Sequence, residues 1–88
     1  WISIRMETLR GQVLSFAVLL VVEVQRKVLC ATRYDTAHGQ AHRDILGNKS
    51  GLISKDWLLD LTNEEALNYA LDDIRRNYET YIQSFLSQ

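Results

Sequence analysis

The residues best suited to chemistry crowd into one stretch: Arg33-Tyr34-Asp35-Thr36-Ala37-His38-Gly39-Gln40-Ala41-His42-Arg43-Asp44. It contains both histidines of the chain together with two aspartates, two arginines and a tyrosine. Three chemistries could use such a set. A metal could sit between His38, His42 and one aspartate, because neutral imidazole with carboxylate suits zinc or manganese. His-x₃-His is a ligand spacing for a helix, however, and here it spans a turn and a strand, so no metal site is expected. A histidine could instead carry a proton while Arg33 or Arg43 holds a phosphate, the equipment of general acid–base cleavage of RNA. Finally, Arg33 and Arg43 could bind an acidic ligand or partner, gated by histidine protonation. Against all three stands a plainer arrangement, in which aspartates pair with arginine and histidine to lock a hairpin and fix its register.

The elements around this stretch decide which of these is open. Strand alternation puts Arg33 and Asp35 on the face opposite Tyr34, and His42 and Asp44 on the face opposite Arg43. Asp35-Thr36-Ala37-His38-Gly39 reads as a hairpin loop in which Gly39 can take a positive φ. The hairpin then sets Arg33 or Asp35 across from His42 or Asp44. Upstream, Ile2, Ile4 and Met6 alternate with Ser3, Arg5 and Glu7, the pattern of an edge strand. Arg10-Gly11-Gln12 reads as a turn. Val13 to Val24, with five valines and a phenylalanine, predicts one long strand, bent or bulged. A tight turn at Gln25-Arg26-Lys27 leads to a strand over Val28 to Tyr34. Further strands are predicted from Gln40 to Leu46 and, after the Gly47–Gly51 turn cluster, from Leu52 to Leu58. Trp57 is expected to close the core near the start of the following helix.

That helix is signalled by Thr62 and Glu65 in a capping-box pattern, with Leu61 as a staple onto Ala66. Leu67, Leu71, Ile74, Tyr78, Tyr81 and Phe85 recur at spacings of four and three, an apolar stripe widened by Ala66, Ala70, Ile82 and Leu86. Asn68, Asp72, Arg75, Arg76 and Glu79 line the other face. About 24 residues reach about 36 Å, enough to cross a four-stranded sheet. The expected fold is α+β: an antiparallel sheet of three to five strands with one long C-terminal amphipathic helix packed across it, a single domain over residues 1–88.

The chain has 88 residues, of which 47% are apolar and 24% charged, so it is globular rather than disordered. A domain this small buries only about 60–65% of its unfolded surface, so its core is thin. Ten basic against eleven acidic side chains, a net charge of −1, lack the basic excess that phosphate neutralisation favours. Nucleic acid is therefore disfavoured as a partner, though a local basic patch stays open. Cys30, the one cysteine, can form neither an internal disulfide nor a multi-cysteine zinc site, and it fits a reducing, cytoplasmic compartment. The apolar run Val13–Val22 is too short to span a membrane, and no membrane association and no cofactor are expected. Both faces of the Val13–Val24 strand are apolar, while one helix covers one face. A homo-oligomer, two-fold symmetric, is the expected resolution.

Arg33-Tyr34-Asp35-Thr36-Ala37-His38-Gly39, one residue, then Ala41-His42-Arg43-Asp44-Ile45-Leu46 resembles a motif of small uncharacterised bacterial and archaeal proteins. In these it is followed by a strand and a helix beginning much like Glu64-Glu65-Ala66-Leu67. The resemblance covers residues 28 to 86 and implies no activity. An odd single domain of this size also looks like a product of a mobile gene cassette. An aspartate–histidine hairpin in a small strand-rich domain is more weakly similar to the toxin components of toxin–antitoxin pairs. The leading expectation is a non-enzymatic binding or interaction protein whose recognition surface includes Arg33, Asp35, His38, His42, Arg43 and Asp44. The alternative is a small toxin-like ribonuclease using His38, His42 and Arg33 or Arg43.

Overall fold

The computed structural model describes the backbone of residues 1–88 and every side chain except that of His38. Five strands run β1 (Ile2–Leu9), β2 (Gln12–Val24), β3 (Lys27–Asp35), β4 (His42–Gly47) and β5 (Gly51–Trp57), followed by one helix, α1 (Asn63–Ser87). The strands form a single antiparallel sheet in the order β1-β2-β3-β4-β5, so each pairs with its neighbour in the chain. The fold is α+β, as the periodicities predict.

Local chemistry accounts for the connections. Leu9 pairs with Gln12 across Arg10 and Gly11, both at positive φ, and Val24 pairs with Lys27 across Gln25 and Arg26, also both at positive φ. Two positive φ values in a two-residue loop make the turn whose twist matches the flanking strands. Gly11 takes this conformation freely, whereas Gln25 and Arg26 take it against the Cβ clash that makes it uncommon outside glycine. Three ladder irregularities bend the sheet: Leu14 is the extra residue on β2, Ala31 on β3 and Ile53 on β5.

The helix begins where the capping box places it. Thr62 accepts from the Glu65 N–H at 3.1 Å, and the Glu65 carboxylate accepts from the Thr62 N–H at 2.9 Å. Asn63 reaches across to the carbonyls of Val13 and Leu14, tying the helix start to the β2 bulge. The core lies between the helix and one face of the sheet. Phe16, Val18, Leu20 and Tyr34 meet Ala66, Leu67, Ala70, Ile74 and Phe85 there. Tyr78, expected in this stripe, is 46% exposed, because the helix crosses β2 to β4 and leaves that turn beside the open flank of β1.

On the other face of the sheet, Ala17 lies between Arg5 and Asp35, and Leu19 between Ser3 and Arg33. Ala17 and Val21 are buried within the single chain. Leu19 on the same face is partly exposed, so the single chain leaves part of this face open. Among the described residues no helix is long and apolar enough to cross a membrane.

Candidate functional site

The hairpin formed by β3 and β4 settles into one register: Asp35 opposite His42, Tyr34 opposite Arg43 and Arg33 opposite Asp44. A 3₁₀ turn over Ala37–Gly39 closes it, with Gly39 at φ 83°. The Asp35 carboxylate caps that turn by accepting from the Ala37 N–H at 3.0 Å. β5 then brings Lys55 opposite Asp44 and Trp57 opposite His42. The side chains of Arg33, Asp35, His42, Asp44, Lys55 and Trp57 share the helix-free face.

His42 Nε2 lies 3.0 Å from Asp35 Oδ1 and 3.6 Å from Asp44 Oδ2, and Nδ1 lies 3.2 Å from the Gln40 carbonyl. Every one of these neighbours is an acceptor, so both ring nitrogens are bonded only when both carry a proton. Arg33 donates to Asp44 Oδ2 from Nη2 at 2.6 Å and from Nε at 3.1 Å. Lys55 Nζ is 2.9 Å from Asp44 Oδ1, an ion pair whose angle leaves that oxygen without a well-directed hydrogen bond. Burial pushes the Asp44 carboxyl up, but Arg33, Lys55 and His42 together outweigh it and hold the group below the usual carboxylate range. The same contact with Asp44 raises the Arg33 guanidinium. Trp57 tilts over His42 with ring centroids 5.1 Å apart, and the Lys55 ammonium sits 5.6 Å from the Trp57 ring. His42 and Asp44 end up 2% and 1% exposed, while Arg33, Lys55 and Trp57 surround them half-exposed.

Asp35, His42 and Asp44 each offer an oxygen or nitrogen within 4.8 Å of the others, so among the described residues they are the group that could hold a cation. Such an ion would have to displace Arg33 and Lys55, which already neutralise Asp44, and the donor set has no need of a metal to be charge-balanced.

The family model described as Domain of unknown function (DUF7718) matches residues 1–88. The chain belongs to this family. No curated protein and no solved structure matches it.

In this DUF7718 domain Arg33, Asp35, His42 and Asp44 converge as strand alternation predicts. Arg43 does not join them. It points to the helix side, donating to Asp56 at 2.8 and 3.0 Å and to the Tyr81 hydroxyl at 3.2 Å. The Asp73 carboxylate accepts there from both Tyr34, at 2.7 Å, and Tyr81. The backbone of His38 lies in the 3₁₀ turn, and its side chain falls outside the described residues. Trp57, expected in the core, is 47% exposed on the helix-free face because alternation along β5 ties it to the side of Lys55. Lys55 and Trp57 were not among the expected site residues. Their shared parity in the chain was the available signal, but Ile53, the extra residue, hid which side that parity faces.

Proposed function

We propose that this DUF7718 domain is a non-catalytic binding protein that recognises an anionic group on the helix-free face of its sheet. The observation that carries this reading is the division of labour in the hairpin. His42 and Asp44 are buried and their polar atoms face partners inside the chain, whereas Arg33, Lys55 and Trp57 stand half-exposed around them. Among the described residues Arg33 Nη1 has no hydrogen-bond partner and Lys55 keeps part of its ammonium for an incoming carboxylate or phosphate, while Asp44, with Asp35 beside Arg33, holds both cations in place. Fixing the cations beforehand lowers the side-chain entropy lost on binding. His42 has no ring nitrogen left to exchange a proton with a substrate, which argues against a catalytic role for it. A half-buried, unpaired thiol at Cys30 is in keeping with a reducing, cytoplasmic setting.

The test is an NMR titration with polyglutamate, inorganic phosphate and short single-stranded RNA in parallel. The expected result is amide shifts centred on Arg33, Lys55 and Trp57 that weaken with added salt and shrink in Lys55→Gln. Silence with all three ligands removes the reading. RNA cleavage in the same tube would favour a small toxin-like ribonuclease instead.

A further inference from the structure

The sheet has two open edges, and they are unlike. β5 carries the extra residue Ile53, which interrupts its ladder. A bulge of this kind blunts an edge against pairing. β1 has neither proline nor an extra residue of its own, since the irregularity beside it belongs to Leu14 of β2. Seven of its eight residues are exposed.

The hydrogen-bonding parity of β1 is fixed at its start. The Trp1 nitrogen donates to the Val21 carbonyl at 2.9 Å, and the Val21 N–H donates to the Trp1 carbonyl at 2.8 Å. Odd residues of β1 therefore bond inward to β2, and the N–H and C=O groups of Ile2, Ile4, Met6 and Thr8 point outward. Side chains of this same even set lie on the helix side, where Ile4 and Met6 are 50% and 49% exposed. Outward backbone groups and uncovered apolar side chains thus fall on the same residues.

We infer that β1 pairs antiparallel with β1 of a second copy across a two-fold axis at Met6, making one continuous sheet. The charges choose this register. With the axis at Met6, Arg5 stands opposite the partner's Glu7 and Glu7 opposite the partner's Arg5. An axis at Arg5 would set Arg5 against itself, which is repulsive, and an axis at Ile4 would set Arg5 against the partner's Ser3. In the Met6 register Ile4 faces the partner's Thr8, and Met6 faces the partner's Met6. Both helices lie on one side of the joined sheet and both Arg33–Lys55 surfaces on the other. This pairing stands apart from ligand recognition, since it uses no residue of that surface.

Light scattering across a dilution series tests it, with parent, Arg5→Glu, Glu7→Arg and the double exchange side by side. The parent is expected to be dimeric. Each single exchange turns two attractive cross-strand pairs repulsive and should raise the dissociation constant about tenfold or more. The double exchange should restore dimerisation, which also shows that loss in the single variants is not misfolding. A parent that is monomeric throughout overturns the inference. So does a dimer indifferent to the single exchanges.

Discussion

Replacing Asp44 with asparagine probes the hairpin network most directly, because the shape is kept and only the charge is lost. Asp44 is 1% exposed and balances Arg33 and Lys55 while facing His42. Removing one partner of a buried ion pair costs about 3–5 kcal/mol. Arg33 and Lys55 are each at least a third exposed and can rehydrate, which reduces the cost of Asp44→Asn to about 2–3 kcal/mol. In a domain of this size that lowers the melting temperature by roughly 10–20 °C, read by circular dichroism at neutral pH. The pH dependence sharpens the test. A carboxyl that ionises more readily folded than unfolded contributes stability above its unfolded value, about 3.9, and loses it as pH falls through the folded value. The parent should therefore lose this contribution below about pH 4, and its melting curve should approach that of Asp44→Asn. A variant melting with the parent at neutral pH, or a gap unchanged by acid, would mean that the Asp44 charge does not hold the hairpin together.

Burial, then the hydrogen bond to Asp73, pushes the Tyr81 hydroxyl up to about 12 and raises Tyr34 as well. This stability is present below the ordinary tyrosine value, about 10, and is lost as pH rises through the folded values. Asp73→Asn should bring tyrosinate absorbance on at lower pH, and an unmoved titration curve would count against the Asp73 link. Thr62→Ala removes half of the capping box and should cost about 1 kcal/mol in a urea melt, with the loss absent if the helix start is held by Asn63 alone. Burial raises the Cys30 thiol, so alkylation should be slow in the folded protein and accelerate through the urea transition; equal rates on both sides would contradict its placement.

The parts of this fold legible in the sequence were those with a local cause. Thr62 and Glu65 marked the helix start because a capping box needs only four residues. The alternation of Arg33 with Asp35, and of His42 with Asp44, named the facing groups because a strand has a period of two. Which of them faced which was not legible, since a 3₁₀ turn and a following Gln40 set the register. Asp73 shows a different limit. It joins Tyr34 and Tyr81 only once the helix lies on β3, a contact between residues 39 apart in the chain. An apolar periodicity passes over an acid at the margin of its stripe. The expected partner for the second face of Val13–Val24 shows a third. Hydrophobicity along one strand says that both of its faces are apolar, but not that Arg5, Asp35 and Arg33 on the neighbouring strands flank Ala17 and Leu19 on the helix-free side.

Strand order equal to chain order has a consequence for how the molecule is born. Each hairpin can close as soon as its second strand leaves the ribosome, with only a short loop to order. The surface that makes those hairpins worth keeping, the side bearing Phe16, Val18 and Leu20, has no cover until α1 is synthesised, after all five strands. A nascent chain stalled before Asn63 should therefore be a sheet with a bare apolar side, visible by dye binding and prone to capture by chaperones. Docking of the helix is the step that removes this side from the reach of chaperones.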